Sequence, residues 1–445
     1  MSLICPVFEH AQSAPNEPAL ICDERSWSYR ELDHAICQVS HFLAVIGINK
    51  GERIAFIAKS HPQTIFLLFA LFRLGATACP LSFRLPQEQI AHCLKELSVS
   101  HILDPEILCL PLEKLPPMER SFDLSSPATL LFTSGSSGTP KAACHSLGAH
   151  FYSALGAIPS LHLDPSSRFL LSLPLFHVGG LGILFRCFYS GAAVVLSSLP
   201  WKEVTSKFQV SHLSQVPTQL HRLLKEEMLG SPRSLKCLLL GGAPVSTEIL
   251  QKAQNRGFPV FTTYGMTEMS SMVTLSGKLL PFRELKVDES QEIWVRGKTL
   301  FDGYWDPREQ MVAKIETGKW HPTKDLGRFT ESGDLEIIGR RDRQFISGGE
   351  NIQPEEIEKA LCNIPGILQA SVLPVDDPEF GQRPVAFIHD ETTAHTLATI
   401  REALQTAIPS FKHPIAILAY PEGAGLKPSL SALKEHLEAL LKNRE

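Results

Sequence analysis

The sequence predicts an α/β protein with a large N-terminal domain of parallel-rich sheets, helices and a small β subdomain, followed by a small α+β C-terminal domain. Continuously apolar segments, such as residues 53–57 and 235–240, alternate with helical periodicity, which is typical of parallel strands covered on both faces. Segments 292–297 and 334–339 alternate apolar and polar residues, which indicates antiparallel strands. The length of 445 residues exceeds what one hydrophobic core usually serves.

The composition is that of an ordinary soluble globular protein, with 44% hydrophobic and 20% charged residues. The net charge of -5 offers no large basic field, so we expect no nucleic-acid partner. The ten cysteines include no C-x-x-C pair, so we expect reduced core thiols and a cytoplasmic location. The longest apolar run, residues 64–72, is too short to cross a bilayer and predicts a buried helix and no integral membrane segment.

A loop of small and hydroxylated residues follows the apolar run 128–132, which we expect to be a buried strand. Such a loop can bring backbone N–H groups, hydroxyls and one cation to a phosphate chain. It is not a Walker A loop, because only two residues separate Gly135 from Gly138 and Ala142 follows the lysine. A flexible Ser/Gly linker is the alternative, but linkers rarely leave a buried strand or end in Pro-Lys. The candidate phosphate-binding residues are Thr133, Ser134, Gly135, Ser136, Gly138 and Lys141.

Three further motifs follow this loop: residues 264–268 (Tyr-Gly-Met-Thr-Glu), 323–327 (Thr-Lys-Asp-Leu-Gly) and 339–342 (Gly-Arg-Arg-Asp). In this order the four motifs resemble the acyl-adenylate-forming enzymes, which include acyl-CoA ligases, luciferases and peptide-synthetase adenylation domains. The resemblance begins at residues 27–32 and 75–81 and continues to Lys427. It implies that ATP activates a carboxylic acid as an acyl-adenylate, with Mg²⁺ as cofactor and coenzyme A as co-substrate.

The resemblance also implies a role for individual residues. Tyr264 would stack on the adenine, and Thr267 would donate a hydrogen bond to the α-phosphate. Glu268 would hold Mg²⁺, with a solvated loop glutamate as the alternative. Asp325 would accept hydrogen bonds from the ribose hydroxyls, with Arg340 contacting ribose or phosphate. The remaining nucleotide-binding candidates are Gly241, Gly242, Ala243 and Gly265.

The same resemblance divides the chain into residues 1–339, which bind ATP and the acid, a hinge at 340–343 that contains Asp342, and a mobile domain at 344–445. Helices are expected from about residue 354 and from about 430 to 442. A loop containing Gly348 and Gly349 would face the site during transfer to coenzyme A.

Two positions depart from the family pattern. Lys324 stands where a glycine is usual, and we expect this to alter the local conformation without removing the Asp325 carboxylate. Lys427 would be the catalytic lysine that neutralises charge during adenylation, although Leu426 replaces the usual glycine before it. A surface lysine is the alternative reading of Lys427.

Four segments resemble the 2-succinylbenzoate–CoA ligases of menaquinone biosynthesis: residues 173–180, 215–224, 345–356 and 379–385. That substrate is an aromatic acid with two carboxylates, of which one is activated and the other needs a cation or donor. The candidate pocket residues are His177, which is also a candidate catalytic residue, and Arg186, Arg222 and Thr218. The two arginines could instead be surface residues in ion pairs.

Three alternatives stay open on the sequence: a ligase for another aryl or medium-chain acid, a free-standing adenylation enzyme that loads a carrier protein, and a binder of acyl-adenylates without turnover. A homodimer is common among relatives and is our expectation for assembly.

Overall fold

The structure, a computed structural model, describes residues 2–99, 101–107, 120–133, 141–225, 230–242, 247–316, 318–390, 395–421 and 430–442. The helices of these ranges are, in chain order, α1 (Pro6–Ser13), α2 (Tyr29–Val45), α3 (Pro62–Leu74), α4 (Gln87–Leu97), α5 (Leu147–Ala157), α6 (Val178–Ser190), α7 (Trp201–Phe208), α8 (Pro217–Lys225), α9 (Thr247–Asn255), α10 (Pro354–Cys362), α11 (Leu397–Leu404) and α12 (Leu430–Lys442).

The strands are β1 (Ser2–Ile4), β2 (Pro18–Cys22), β3 (Arg25–Ser28), β4 (Arg53–Ile57), β5 (Thr77–Leu81), β6 (His101–Leu103), β7 (Ser121–Asp123), β8 (Pro127–Thr133), β9 (Lys141–Ser146), β10 (Arg168–Leu170), β11 (Ala193–Leu196), β12 (His212–Gln215), β13 (Cys237–Gly241), β14 (Val260–Met266), β15 (Ser271–Leu275), β16 (Lys278–Leu279), β17 (Arg283–Val287), β18 (Glu292–Gly297), β19 (Gly303–Asp306), β20 (Met311–Lys314), β21 (His321–Phe329), β22 (Leu335–Arg340), β23 (Phe345–Ser347), β24 (Glu350–Ile352), β25 (Ile367–Asp377), β26 (Gly381–Asp390) and β27 (Ala416–Ala419).

Two large sheets form the N-terminal domain, and both are rich in parallel pairs as the sequence predicts. The nine-stranded sheet has the order β16-β15-β14-β13-β12-β10-β11-β2-β3, in which β14 through β2 run parallel and the outer strands run antiparallel. The seven-stranded sheet has the order β20-β19-β9-β8-β5-β4-β6, with parallel pairing from β8 to β6. A separate two-stranded pair joins β1 to β7.

Helices α3 and α6 lie in the apolar core between the two sheets. α3 is buried over nearly its whole length, which confirms the prediction of a buried helix rather than a membrane span. Its Phe69 ring lies 5.8 Å from Phe185 and 5.0 Å from Phe188, both on α6. Gly75, in the left-handed conformation at φ 69°, ends α3 and turns the chain into β5. Among the described residues, no helix is long and apolar enough to span a bilayer.

The small β subdomain is the four-stranded antiparallel sheet β17-β18-β21-β22. β19 and β20 interrupt it in sequence, but they leave it and join the seven-stranded sheet through the pairing of β19 with β9. This crossover brings residues 303–306 beside the strand that follows the phosphate loop.

The C-terminal part has its own sheet, β24-β23-β26-β25, with β27 parallel to β26. Helices α10 and α12 match their predicted positions, and α10 begins with a proline and two acids, which are favourable at a helix N-terminus. Leu433 and Leu437 of α12 pack against Phe387 on one side of this sheet, while α10 and α11 cover a second core.

Candidate active site

The glycines expected near the adenine lie where two parallel strands end. Gly241 of β13 is opposite Thr263 of β14, and a Cβ on Gly241 would lie 2.9 Å from the Thr263 carbonyl oxygen. Gly242 follows at φ 81°, a conformation that favours glycine. A Cβ on Gly265 would lie 2.3 Å from the backbone oxygen of Ser271, so only glycine fits there. The backbone at these glycines is therefore too closely packed, or too unusual in conformation, for a larger residue.

A carboxylate with two donors forms the predicted ribose end of the site. Asp325 on β21 lies opposite Arg340 on β22. The Tyr264 hydroxyl donates to Asp325 Oδ2 at 2.7 Å, and Arg340 Nη1 donates to Oδ1 at 3.2 Å. Burial raises the pKa of Asp325 above its ordinary value, while the Tyr264 hydrogen bond and the Arg340 charge oppose that rise. Arg340 also makes two hydrogen bonds of 2.9 Å to the Asp342 carboxylate.

Lys324, which replaces the usual glycine, adopts the left-handed conformation at φ 63°. A non-glycine residue takes this conformation at a cost of roughly 1–2 kcal/mol. Lys324 thus adopts, with strain, a backbone conformation that favours glycine, and the Asp325 carboxylate beside it is present as expected. The buried Glu292 carboxylate accepts from the Lys324 N–H at 3.1 Å and from Arg341 Nη1 at 2.5 Å, which holds the turn in place.

Glu268 and Lys141 meet across the ring of Tyr304 at the predicted phosphate end. Glu268 follows β14 in the short 3-10 turn Thr267–Met269. The Tyr304 hydroxyl donates to Glu268 Oε1 at 2.5 Å, and Lys141 Nζ lies 5.4 Å from the centre of the Tyr304 ring. Burial raises the pKa of Tyr304, which keeps its hydroxyl protonated as a donor. Thr133 lies opposite Lys141, so the strand pair β8–β9 presents both ends of the phosphate-loop segment here.

The backbone of the Thr267 turn is fixed from two directions. The Thr267 carbonyl oxygen is 2.7 Å from His145 Nε2, and the Glu268 carbonyl accepts from the Phe301 N–H at 2.8 Å. Burial lowers the pKa of His145 to about 4, so the ring is neutral near pH 7.

Of the predicted pocket residues, Arg186 is buried and His177 is exposed just before α6 begins. Arg186 Nη2 donates to Ser271 Oγ at 2.9 Å, and its Nε has no partner among the described residues. Burial lowers the pKa of Arg186 to about 10. The surface interpretation of Arg186 is therefore wrong: it is a buried cation whose hydrogen-bonding capacity is only partly used.

Arg222 is exposed on α8, and Thr218 is half-buried near the start of the same helix. Among the described residues, Arg222 makes no hydrogen bond or ion pair with the other candidate pocket residues. The structure therefore does not join Arg222 to Arg186 or His177.

Several predicted site residues lie outside the described ranges: Ser134, Gly135, Ser136, Gly138, Ala243 and Lys427.

The segment 340–343 is a row of charges that are all engaged. Arg341 binds Glu292 of the small β sheet, whereas Arg343 binds Glu355 at 2.8 Å and Glu358 at 2.6 Å, both on α10. Asp342 lies between them and pairs with Arg340. This turn is not simply a solvated loop, because Arg341 and Arg343 bind two different parts of the fold.

Gly348 and Gly349 form the two-residue turn between β23 and β24, with φ of 56° and 84°. Two successive positive values are typical of a tight hairpin turn that favours glycine. The Gly348 N–H donates to the Phe380 carbonyl oxygen at 2.9 Å.

Comparison with known proteins agrees with this geometry. Residues 7–305, more than half of the chain, match the family model described as AMP-binding enzyme, and residues 356–422 match the AMP-binding enzyme C-terminal domain. The chain belongs to the AMP-binding enzyme family.

Relatives within the AMP-binding enzymes cover almost the whole chain. The 2-succinylbenzoate–CoA ligase of Escherichia coli K12 is 34% identical over 440 residues, which cover 94% of this chain and 95% of that protein. Two solved structures of the Bacillus subtilis o-succinylbenzoate CoA synthetase are also similar. The complex with the acyl-adenylate intermediate OSB-AMP has a TM-score of 0.88, 27% identity and 98% coverage of both chains. The complex with ATP and magnesium ion has a TM-score of 0.87, 28% identity and coverage of 98% of this chain and 100% of that one.

Sequence reasoning missed Tyr304, His145 and Glu292. Tyr304 is far from Glu268 in sequence, and only the crossover of β19 brings it there. His145 could have been noticed, because it lies four residues after Lys141 on a strand and therefore on the same face. Glu292 is the first residue of β18, and the sequence gives no signal that it binds the backbone of another strand.

Proposed function

We propose that this AMP-binding enzyme is an AMP-forming ligase that joins 2-succinylbenzoate to coenzyme A through an acyl-adenylate. The observation that carries the proposal is a pair of polar groups at the two ends of residues 264–268. Tyr264 donates to the carboxylate of Asp325, and Glu268 accepts from Tyr304, whose ring lies beside the Lys141 cation. The named relatives support the choice of acid.

The nucleotide would lie between these two ends. Tyr264 would stack on the adenine while its hydroxyl orients Asp325 toward the ribose hydroxyls. Thr267 would donate to the α-phosphate, and residues 133–141 would hold the outer phosphates. In the first half-reaction an oxygen of the acid's carboxylate bonds to the α-phosphorus, and the bond from that phosphorus to the departing pyrophosphate breaks.

The residues present fit a magnesium ion held mainly by the nucleotide. Among the described residues, no group of three or more His, Cys, Asp or Glu side chains is arranged to hold a metal. Mg²⁺ commonly takes one or two protein carboxylates together with phosphate oxygens and water. Glu268, oriented by Tyr304, would be that carboxylate, and the bound ion would neutralise charge on the phosphates.

Arg186 is our candidate for the spectator carboxylate of the acid. Arg186 is buried and has no carboxylate partner among the described residues, which is costly for a cation, and an anionic substrate would relieve that cost. Its Nε, which no described residue binds, would provide a donor. His177, Thr218 and Arg222 stay candidates for the shape and polarity of the same pocket.

The second half-reaction would use the C-terminal domain. We propose that residues 1–339 and 344–445 move about the 340–343 hinge, in which Asp342 changes conformation. Lys427 would enter the site for adenylation, and the loop with Gly348 and Gly349 would face it for thioester formation. The thiol sulfur of coenzyme A then bonds to the acyl carbon, and AMP leaves. We also propose, on the family resemblance alone, a cytoplasmic location and a homodimer. Sedimentation velocity tests the homodimer.

The test is release of AMP from ATP and Mg²⁺ with coenzyme A and each of 2-succinylbenzoate, benzoate and octanoate, with the thioester identified by mass. We expect turnover with 2-succinylbenzoate alone. Lys427→Ala should lose adenylation but retain thioester formation from supplied acyl-adenylate, and Lys434→Ala, exposed on α12, is the matched control.

Turnover only with benzoate or octanoate would reject the proposed acid and retain a ligase. Acyl-adenylate formed without transfer to coenzyme A would favour an enzyme that loads a carrier protein. Binding of acyl-adenylate without its formation would favour the non-catalytic alternative.

A further inference from the structure

A buried, uncharged hydrogen-bond chain lies behind the phosphate end of the site. Thr129 on β8 lies opposite His145 on β9, with 3.3 Å between Thr129 Oγ1 and His145 Nδ1. The same hydroxyl oxygen is 2.9 Å from Nε2 of His150 on α5. All three side chains are at most 2% exposed. None of them has a role in the adenylation chemistry described above.

The geometry fixes where each proton lies. A carbonyl oxygen can only accept, so His145 Nε2 carries the proton in its bond to the Thr267 carbonyl. In a neutral ring Nδ1 must then accept, and the Thr129 hydroxyl donates to it. That hydroxyl has one proton, so His150 Nε2 must donate to the Thr129 oxygen. Burial disfavours the charged form of both rings, which supports this arrangement.

This chain of hydrogen bonds joins the two large sheets at the point where the phosphates would lie. His145 is on the seven-stranded sheet, four residues beyond Lys141, whereas Thr267 follows β14 of the nine-stranded sheet. The α5 helix adds a second tie, since Ser153 Oγ donates to the Ser270 carbonyl oxygen at 2.7 Å. His150 is itself fixed by stacking on Phe185, with ring centres 4.9 Å apart.

We propose that His145, oriented by Thr129 and His150, is a positioning residue that sets the Thr267–Glu268 turn against the phosphate-loop strands. None of these three side chains is hydrogen-bonded to Asp325 or Arg340. Loss of their hydrogen bonds should therefore affect the phosphate end of the site and leave the ribose end unchanged. This inference deepens the proposed function and rests on it for the kinetic readout only.

The first variant is Thr129→Val, which keeps the side-chain shape and removes both hydrogen bonds. A displacement of about 1 Å at a reacting group can cost roughly 100-fold in rate, so we expect adenylation kcat to fall by about 10- to 100-fold. In calorimetry, binding of MgATP should weaken while binding of adenosine, which has no phosphate, stays unchanged. Thr129→Ser, which retains the hydroxyl, should restore the adenylation kcat and the affinity for MgATP.

Thr205→Val is the matched control, because Thr205 is also buried and donates to a backbone carbonyl, but on α7 away from the site. Nitrogen-15 spectra of His-labelled protein at neutral pH, assigned with His145→Gln and His150→Gln, should show both rings neutral with the proton on Nε2. A proton on His145 Nδ1, equal damage from Thr129→Ser and Thr129→Val, or parallel loss of adenosine and MgATP binding would overturn the inference.

The binding and spectroscopic arms need no carboxylic acid. If no acid is activated by the wild-type protein, the proposed function fails while these two arms still decide the positioning role.

Discussion

The side chains that support the two ends of the proposed nucleotide site interact in opposite ways. At the ribose end, Asp325, Arg340 and Asp342 form a charged network, and Arg340 is 40% exposed along its side chain. At the phosphate end, the residues behind the Thr267 turn, Thr129 and His145, are uncharged and fully buried.

This difference matches what each end must do. The ribose end would bind neutral hydroxyls, and a carboxylate is a strong acceptor for them. That end also adjoins the proposed hinge at residues 340–343, where charged groups near solvent would exchange partners at little cost. The phosphate end would receive a highly charged ligand, so fixed, buried, neutral dipoles would support it without competing for it.

Replacement of Glu268 by glutamine should give the largest effect and would sharpen the comparison at the phosphate end. Loss of the carboxylate would weaken the proposed magnesium site, and loss of one electrostatic group at a reaction centre costs roughly 10²–10³ in kcat. Adenylation rates measured over a magnesium titration should show a lower kcat and a higher half-saturating concentration, with adenosine binding unchanged. Glu284→Gln, an exposed residue of β17 paired with Arg296, is the control. A variant with the wild-type magnesium requirement would contradict the role of Glu268.

Asp325→Asn should act at the ribose end with a smaller effect on a different parameter. Hydrogen bonds to charged groups contribute about 1.5–3 kcal/mol, so the KM for ATP should rise roughly 10- to 100-fold while kcat changes little. Steady-state rates with ATP and with 2′,3′-dideoxy-ATP provide the measurement.

The wild-type protein should discriminate against the dideoxy nucleotide, and the variant should lose that discrimination. Asp334→Asn, at a half-buried position just before β22, should behave as wild type. If Asp325→Asn still discriminated fully, the ribose assignment would be wrong.

The buried histidines should make the free energy of unfolding depend on pH in a way that the ribose end does not. Below its ordinary pKa of 6.5, His145 binds a proton in the unfolded chain but not in the folded one until about pH 4. The unfolded state therefore holds more protons in this window, and the free energy of unfolding falls by about 1.4 kcal/mol per pH unit as the pH decreases.

Urea unfolding at pH 7.5, 6.5 and 5.5 tests this prediction. His145→Gln should lose less stability than the wild type between pH 6.5 and 5.5. Equal slopes for the two proteins would show that His145 is already charged in the folded state.

Lys324→Gly should have the smallest effect and should act on stability. Glycine removes the cost of the left-handed conformation, so the free energy of unfolding should rise by about 1 kcal/mol. Lys324 Nζ lies 3.9 Å from Asp342 and is more than half exposed, so this contact contributes little. Lys324→Ala removes the contact with Asp342 but keeps the strained backbone. It therefore separates the contribution of the ion pair from that of the strain. A destabilised Lys324→Gly would mean that the lysine side chain matters more than its backbone.

The grouping of the motif residues Asp325, Arg340 and Tyr264 could be predicted from the sequence, because each motif lies on or next to a strand that brings it to the others. Tyr304 was not, because its position depends on β19 leaving one sheet for another, which no local pattern indicates. His145 was missed for a different reason, since a neutral histidine in an apolar strand is ordinary core composition. The surface alternative for Arg186 was wrong because helical periodicity gives the face of a residue but not what packs against that face.

The most direct measurement is a single-turnover reaction without coenzyme A. Excess enzyme is mixed with ATP, Mg²⁺ and 2-succinylbenzoate, and coenzyme A is added afterwards. We expect pyrophosphate and 2-succinylbenzoyl-adenylate in equal amounts first, then AMP and the thioester only after coenzyme A is added. Absence of that adenylate, with an adenylate formed from benzoate or octanoate under the same conditions, would contradict the proposed substrate.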